Sequence, residues 1–195
     1  MRYSNISEKE FIRKILTGQK YFRGISLQRR LSANDLEELR EYLKGQNFTE
    51  NPIIISDSEI RGIQLSGLNL SYVDAKETDF TGTDFTDANL YGANFRGAIL
   101  KGAIFRKAIL TAADLTEALL SGAECGEANL REANLYRTHL GRACFEGADL
   151  RDVRNLEFAL GLHQAYFSNT IVTPKDKEIS DQESAKHPKF IVEEK

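Results

Sequence analysis

Three histidines and two cysteines are the residues of this chain best suited to bind a metal ion or to act as nucleophiles. His139, His163 and His187 do not have the short spacing that is typical of metal ligands. The chain also has neither a glycine-rich phosphate loop nor a nucleophile elbow. We therefore expect no enzymatic activity, no metal and no cofactor.

A series of Asp and Asn residues at intervals of five is the second feature that could carry chemistry. It includes Asp74, Asp79, Asp84, Asn89 and Asn94, and such a series could bind calcium or act in acid–base catalysis. The calcium-binding nonapeptide pattern is absent. Short polar side chains also cap backbone amides at chain corners, and we favour this structural role.

The interval of five belongs to an apolar repeat that extends from Ile55 to Leu150, usually with Ala two residues before each apolar position. Five residues advance an α-helix by about 500°, so no apolar helix face forms. On a straight strand an odd step alternates between faces, so the chain must turn a corner every five residues. Four sides would close one coil of twenty residues, and the twenty pentapeptides of residues 53–152 then predict about five coils.

The repeat reads A-(D/N)-(L/F)-x-x, as in Ala93-Asn94-Phe95-Arg96-Gly97, and it resembles the pentapeptide repeat family. The resemblance covers residues 53–152 and implies an all-β solenoid, a right-handed quadrilateral β-helix. Sorting the central residues by twenty predicts a column of leucines and a column rich in phenylalanine, the latter being Leu65, Phe85, Phe105, Cys125 and Phe145. The register also predicts that Cys125 points inward and Cys144 outward, so that they form no disulfide.

Residues 1–52 are expected to form an N-terminal helical cap with an interrupted first pair of repeats, Phe22 and Leu27. Ser7 and Glu10 form a capping-box pattern before a short helix. A second helix is predicted to start at Ser32 or Asn34 and to end at Gly45. Its apolar side is Leu36, Leu39, Tyr42 and Leu43. It could pack as a cap or project as a partner-binding arm.

The register breaks after Asp152 and resumes in a shifted phase at residue 165. We interpret residues 153–164 as an insertion with a short helix through Leu156, Leu160 and Leu162 that covers the open edge of the last coil. Residues 153–180 would thus form a C-terminal cap. The polar residues 181–195 are expected to form a mobile tail.

Composition supports one soluble, cytoplasmic domain. The 195 residues are 41% apolar with a formal net charge of −3, and we identify no membrane span or signal peptide. Two cysteines fit a reducing compartment. The resemblance points to bacterial, especially cyanobacterial, relatives.

Four departures from the motif form the candidate interaction surface. Ile99, Ile104, Ile109 and Leu119 are apolar where the repeat usually has Asp or Asn, and they should point outward. Ile99 and Leu119 are twenty residues apart and should stack on neighbouring coils of one side, while Ile104 and Ile109 should continue the apolar belt around the same coil. The surface could bind a partner or a second copy, or it could be isolated apolar residues or the contact of a folded-back terminus.

We therefore expect a non-enzymatic scaffold for protein–protein interaction that has a regulatory role. The sequence does not identify its partner. The resemblance offers an alternative, because some family members mimic duplex DNA and bind DNA gyrase. Residues 58–152 carry fourteen acidic and ten basic residues, a net charge of −4, and a DNA mimic needs a more acidic rod. A solely structural protein is a third reading. We do not expect direct nucleic-acid binding, and the choice between monomer and dimer stays open.

Overall fold

The structure is a computed structural model, which describes residues 4–27, 33–173 and 188–192. Its helices are α1 (Glu8–Leu16) and α2 (Ala33–Lys44), with 3-10 turns at Leu156–Phe158 and Leu162–Gln164. Its strands are β1 (Ser4–Asn5), β2 (Ile25–Leu27), β3 (Glu59–Ile60), β4 (Phe167–Val172) and β5 (Pro188–Val192).

The repeat region is held together by parallel bridges between residues twenty apart. Ile99, for example, bridges Asp79 on the preceding coil and Leu119 on the next. The Leu100 N–H donates to the carbonyl of Leu119 at 2.9 Å, and the Leu119 N–H donates to that of Ala98 at 2.9 Å. Each coil therefore has four bridged positions, which define four faces.

We number the faces by their bridged, outward residues. The first face carries Glu59, Asp79, Ile99, Leu119, His139 and Leu160, and the second carries Gln64, Asp84, Ile104, Glu124, Cys144 and Tyr166. The third carries Asn69, Asn89, Ile109, Asn129, Asp149 and Ile171, and the fourth carries Ile54, Asp74, Asn94, Asp114, Asn134 and Arg154.

The core is formed by the central residue of each repeat and the Ala two before it, which are buried as the register predicted. The phenylalanine column forms stacked rings. The ring centroids of Phe85 and Phe105 are 5.0 Å apart, and those of Phe145 and Phe167 are 5.3 Å apart. Cys125 is buried between these two stacks. Each coil thus buries its apolar residues against like residues of its neighbours, which gives the solenoid one continuous core.

Every corner ends in a residue with left-handed backbone conformation, and this explains why Gly is frequent in the last position of the repeat. Gly102 has φ 60° and Gly122 has φ 70°. L-residues such as Lys107 (φ 58°) and Ala112 (φ 58°) occupy the same position in other repeats. Each of them stores about 1 to 2 kcal/mol of local strain that Gly avoids.

At the N-terminus the early repeat pair joins the solenoid. Tyr21 bridges Ile54, and Ser26 of β2 pairs with Glu59 of β3, so Phe22 and Leu27 are buried in the first coil. The segment that follows β2 and precedes Ile54 contains α2. It is therefore an insertion in the first coil. Strand β1 adds one more rung beside β2.

Both N-terminal helices lie over the end of the core. The Ser7 hydroxyl accepts a hydrogen bond from the Glu10 N–H at 3.1 Å, as the capping pattern predicted. Phe11 and Ile15 of α1 and Leu39 and Leu43 of α2 surround the same apolar space as the first inward residues of the repeats. Helix α2 is thus packed rather than projecting. Ser32, one of its predicted start residues, lies outside the described residues.

Helix α2 is also tied to the first coil by polar contacts. The Arg40 guanidinium donates to the carbonyl of Ser66 at 3.0 Å, and the Asn69 amide donates to the carbonyl of Leu43 at 3.2 Å. The carbonyl of Leu43 lies in the last turn of α2, where backbone carbonyls have no partner within the helix. The repeat region therefore supplies a hydrogen-bond donor to the C-terminal end of α2, the helix that covers it.

The C-terminal region differs from its prediction. Residues 153–164 form no α-helix, but two 3-10 turns separated by Leu160, which bridges His139. Tyr166 then bridges Cys144 and Ile171 bridges Asp149. The steps along these faces are 21, 22 and 22 residues instead of 20, so the segment lengthens a coil by two residues and does not interrupt it. The shifted register does place Phe167 and Val172 inward.

The tail predicted for residues 181–195 contains a strand. Pro188–Val192 form β5, which pairs in parallel with β4. The sequence Phe190-Ile191-Val192 has high β-propensity, but it is short and lies among charged residues, which explains why the composition suggested a tail. The other residues of this segment lie outside the described ones.

Candidate interaction surface

The Asp and Asn residues of the repeat cap corner amides, as predicted. The Thr86 N–H donates to Asp84 Oδ1 at 2.8 Å, and the Arg96 N–H donates to Asn94 Oδ1 at 3.3 Å. The same contact, from the backbone N–H two residues later, is made by Asn69, Asp79, Asp84, Asn89, Asn94, Asp114, Asn129, Asn134 and Asp149. Asp74 instead pairs with Lys76 at 3.3 Å.

Amide groups also bond from coil to coil on the third and fourth faces. Asn89 Nδ2 donates to Asn69 Oδ1 at 3.1 Å, and Asn94 Nδ2 donates to Asp74 Oδ1 at 3.1 Å. These polar side chains are thereby engaged in holding the solenoid together. Among the described residues, no group of three His, Cys, Asp or Glu side chains is arranged to hold a metal ion.

Two of the carboxylates have a lowered pKa. Burial alone would raise the pKa of Asp79, but the Thr81 hydroxyl and N–H and the Arg61 guanidinium outweigh it. The pKa of Asp149 is likewise lowered, because hydrogen bonds and charge from Arg151 overcome the effect of burial. Arg61 Nη2 lies 2.7 Å from Asp79 Oδ2, and Arg151 Nη2 lies 2.6 Å from Asp149 Oδ2. Both carboxylates are thus ionised parts of corner contacts.

The four apolar departures do not lie together on one face. Ile99 and Leu119 are bridged to each other on the first face, as the twenty-residue spacing predicted. Ile104 lies on the second face between Asp84 and Glu124. Ile109 lies on the third face between Asn89 and Asn129 and is 42% exposed. The structure therefore brings together one pair and separates the other two residues.

Three further apolar residues extend the pair on the first face. Leu160 is 41% exposed and is the last bridged residue of this face, beyond His139. Tyr136 lies at the adjoining corner, and its ring is 5.5 Å from that of Phe158, which is 51% exposed. We call Ile99, Leu119, Tyr136, Phe158 and Leu160 the apolar strip.

The sequence reasoning missed the C-terminal half of the apolar strip. Leu160 lies 21 residues after His139, so a strict period of twenty aligns it with Leu140 and assigns it to an inward, central position. The signal that was available is the resumption of the repeat at Ala165, two residues later than a strict period would place it. If one of the two extra residues is placed before Leu160 and the other after it, Leu160 lies on the first face.

The charges beside the apolar strip differ between its two borders. At the corner between the fourth and first faces, Arg96 pairs with Asp114 at 3.4 Å, and Arg137 pairs with Glu117 at 4.0 Å. At the corner between the first and second faces, Lys101 and Arg142 are exposed. Neither has an ion pair within the described part of the chain.

The two cysteines are free, as predicted, and differ in environment. Burial raises the pKa of the Cys125 thiol far above its ordinary value. Cys144 is half-buried and lines a surface cavity of about 710 Å³ together with Arg106, Glu124 and other charged residues. Because Arg106 pairs with Glu124 at 2.9 Å and Lys107 with Glu127 at 3.8 Å, charges that line this cavity largely compensate one another.

None of the helices in the described part of the chain has the length and apolar character needed to span a bilayer. Among curated proteins, none matches this chain. Solved structures do match it. A pentapeptide repeat protein from the thylakoid lumen of Arabidopsis thaliana is 33% identical over 49% of this chain and 66% of its own, with a TM-score of 0.36.

Two further structures are more distant in sequence. HetL, a pentapeptide repeat protein from the cyanobacterium Nostoc involved in the regulation of heterocyst differentiation, is 20% identical over 86% of this chain and 97% of its own, with a TM-score of 0.29. QnrB1, a plasmid-mediated fluoroquinolone resistance protein, is 23% identical over 65% of this chain and 67% of its own, with a TM-score of 0.27.

The family model for pentapeptide repeats matches eight copies, over residues 63–102, 88–123 and 113–152. These matches fall on the bridged coils described above, in which each central residue is buried and most of the Asp and Asn residues cap a corner. The architecture is a right-handed β-helical solenoid. Residues 63–152 of this chain are pentapeptide repeats, the part that the family model matches.

Proposed function

We propose that this chain is a non-enzymatic scaffold that binds a partner protein through the apolar strip. The observation that carries the proposal is the replacement of corner-capping side chains by apolar ones at Ile99 and Leu119, in line with exposed Leu160. An apolar side chain at this position gives up a cap hydrogen bond, which contributes about 0.5 to 1.5 kcal/mol. Ile99 and Leu119 are adjacent, and His139 lies between them and Leu160. Apolar residues clustered on one face in this way are typical of an interaction site.

The rest of the chain serves to build and protect that surface. In this reading residues 1–52 and 153–180 act as end caps for the solenoid of residues 53–152, since stacked repeats need protected ends. The free cysteines support a cytoplasmic location, where thiols stay reduced. A solely structural protein would need no apolar face in place of its caps.

The test is a double variant, Ile99→Lys with Leu119→Lys, used as bait for affinity capture from the native host beside the unchanged protein. Ile109→Lys is the matched control, because Ile109 is equally apolar but lies on another face. We expect the double variant to keep its fold by circular dichroism and to lose the captured partner, whereas the control retains it. Identical capture by all three proteins, or capture of no protein by any of them, would contradict the proposal.

A further inference from the structure

We propose that the occupant of the apolar strip is an acidic amphipathic α-helix of the partner protein. Its apolar residues would lie on the strip along the solenoid axis, and its carboxylates would face Lys101 and Arg142. This inference rests on the proposed function and adds the chemistry of the partner.

The first argument is the distribution of unpaired positive charge. Eight of the ten basic side chains of residues 58–152 form ion pairs, namely Arg61, Lys76, Arg96, Arg106, Lys107, Arg131, Arg137 and Arg151. The two without an ion pair among the described residues, Lys101 and Arg142, lie at the same corner beside the first face. Complementary charge at the rim of an apolar patch selects and orients a partner, so this border favours carboxylates.

The second argument is the spacing along the solenoid axis. Neighbouring rungs are about 4.8 Å apart, and outward residues on one face repeat at that distance. Residues one turn apart on a helix are separated by about 5.4 Å, whereas same-face residues of a strand are about 6.6 Å apart. A helix therefore matches the rungs of Ile99, Leu119 and Leu160 more closely than an extended peptide does.

The charged border fits the same helix. Lys101 and Arg142 lie two coils apart, which corresponds to about 10 Å along the axis. Two helical residues seven positions apart are separated by about 10.5 Å. Two Glu or Asp residues with this spacing, on one side of an apolar stripe, would each meet one of the two cations.

The aromatic pair supplies the site for an anchoring residue. The rings of Tyr136 and Phe158 meet edge to face with an interplanar angle of 61°, and both remain partly exposed. They lie next to His139, the polar rung between Leu119 and Leu160. Exposed aromatic surface is a frequent centre of binding energy, so the apolar contact is expected to be strongest at this end of the strip.

The test uses two designed helical peptides of about fifteen residues, long enough to cover four rungs. Both carry Leu at positions i, i+4, i+7 and i+11, and they differ only in having Glu or Lys along one side of that stripe. Binding to the full chain is measured by fluorescence anisotropy at low and at physiological salt. We expect the Glu peptide to bind more tightly and its binding to weaken with salt.

Charge reversal identifies the border. Lys101→Glu with Arg142→Glu should weaken binding of the Glu peptide by roughly tenfold and strengthen binding of the Lys peptide. Lys9→Glu is the matched control, because Lys9 is exposed on α1 and has no ion pair in the described part of the chain. It should leave both affinities unchanged. Ile99→Ser with Leu119→Ser, which removes the apolar contact and adds no charge, should abolish binding of the Glu peptide.

Several results would overturn the inference. Equal binding of both peptides would do so, as would charge-reversed protein that binds like the unchanged one. Self-association that is lost in Ile99→Lys with Leu119→Lys would assign the strip to a second copy. Binding to vesicles of anionic lipid that is lost in Ile99→Ser with Leu119→Ser would assign it to a membrane.

Capture from the host separates this inference from the proposed function. If Ile99→Lys with Leu119→Lys loses the partner and Lys101→Glu with Arg142→Glu keeps it, the apolar strip is the docking site. The inference that an acidic helix occupies the strip is then wrong. If both variants keep the partner, the proposed function fails as well.

Discussion

The carboxylate of Asp79 shows how much a single side chain contributes to one corner. It accepts a hydrogen bond from the Thr81 N–H at 2.9 Å and pairs with Arg61 at the corner beside its face. Hydrogen bonds to the charged form lower its pKa despite burial. A group whose pKa is lower in the folded state stabilises the fold above its unfolded pKa of about 3.9 and loses that contribution as the pH falls.

We therefore predict that Asp79→Asn lowers the free energy of unfolding at pH 7 by about 1 kcal/mol, since the amide keeps the cap and loses the charged contact with Arg61. The difference from the unchanged protein should shrink as the pH falls below the unfolded pKa of about 3.9, and it should vanish once the carboxylate is protonated in the folded state as well. Urea unfolding followed between pH 2 and 7 measures this. Asp87→Asn serves as control, because Asp87 is exposed and has no ion pair in the described part of the chain. A constant difference at all pH values would contradict the assignment.

At the scale of one element, the apolar residues that replace Asp or Asn lack the side-chain hydrogen bond that caps the corner amide. Ile109 lies between Asn89 and Asn129 on the third face, where Asn89 already donates to Asn69. An Asn at this place could accept from the Thr111 N–H and donate to Asn89. We predict that Ile109→Asn raises the free energy of unfolding by about 1 kcal/mol, because two hydrogen bonds outweigh the partial burial of an exposed isoleucine.

Ile109→Ala is the matched control, since it removes the same apolar contacts and supplies no amide. It should be less stable than the unchanged protein when both are compared by chemical denaturation. Equal stability of the Asn and Ala variants would show that the cap contributes nothing there. Because Ile109 lies outside the apolar strip, binding of the Glu peptide should be the same in both.

The elements that the sequence predicts well are those whose side chains follow the period of five. Burial of Leu100 and the outward direction of Ile99 follow directly, because adjacent strand residues point to opposite sides. Leu160 could not be placed in this way, since two extra residues in its coil shift the phase and only the positions of later rungs reveal where they are absorbed. Strand β5 was missed for another reason, because its pairing with β4 depends on a contact that no local pattern encodes.

At the scale of the whole molecule, the rod is long, regular and nearly charge-balanced along its surface. Of the fourteen acidic residues in 58–152, many are engaged by neighbouring cations, as Glu124 is by Arg106 and Asp152 by Arg131. Duplex DNA, by contrast, presents one negative charge for about every 1.7 Å of its axis. Beside the apolar strip, Lys101 and Arg142 have no ion pair in the described part of the chain, and these two cations disfavour contact with a protein site built for DNA.

We accordingly predict that this chain does not act as a DNA mimic toward DNA gyrase. Purified gyrase should supercoil relaxed plasmid at the same rate with and without the chain at micromolar concentration, and inhibition by a quinolone should be equally strong in both cases. The quinolone alone is the control that shows the assay responds. Lys101→Glu with Arg142→Glu is a second test protein, since it lowers the net charge by four and removes the exposed cations. Slowed supercoiling or weakened quinolone inhibition by the unchanged chain would overturn the prediction. An effect confined to the charge-reversed variant would instead identify the two cations as the feature that keeps this solenoid from binding gyrase.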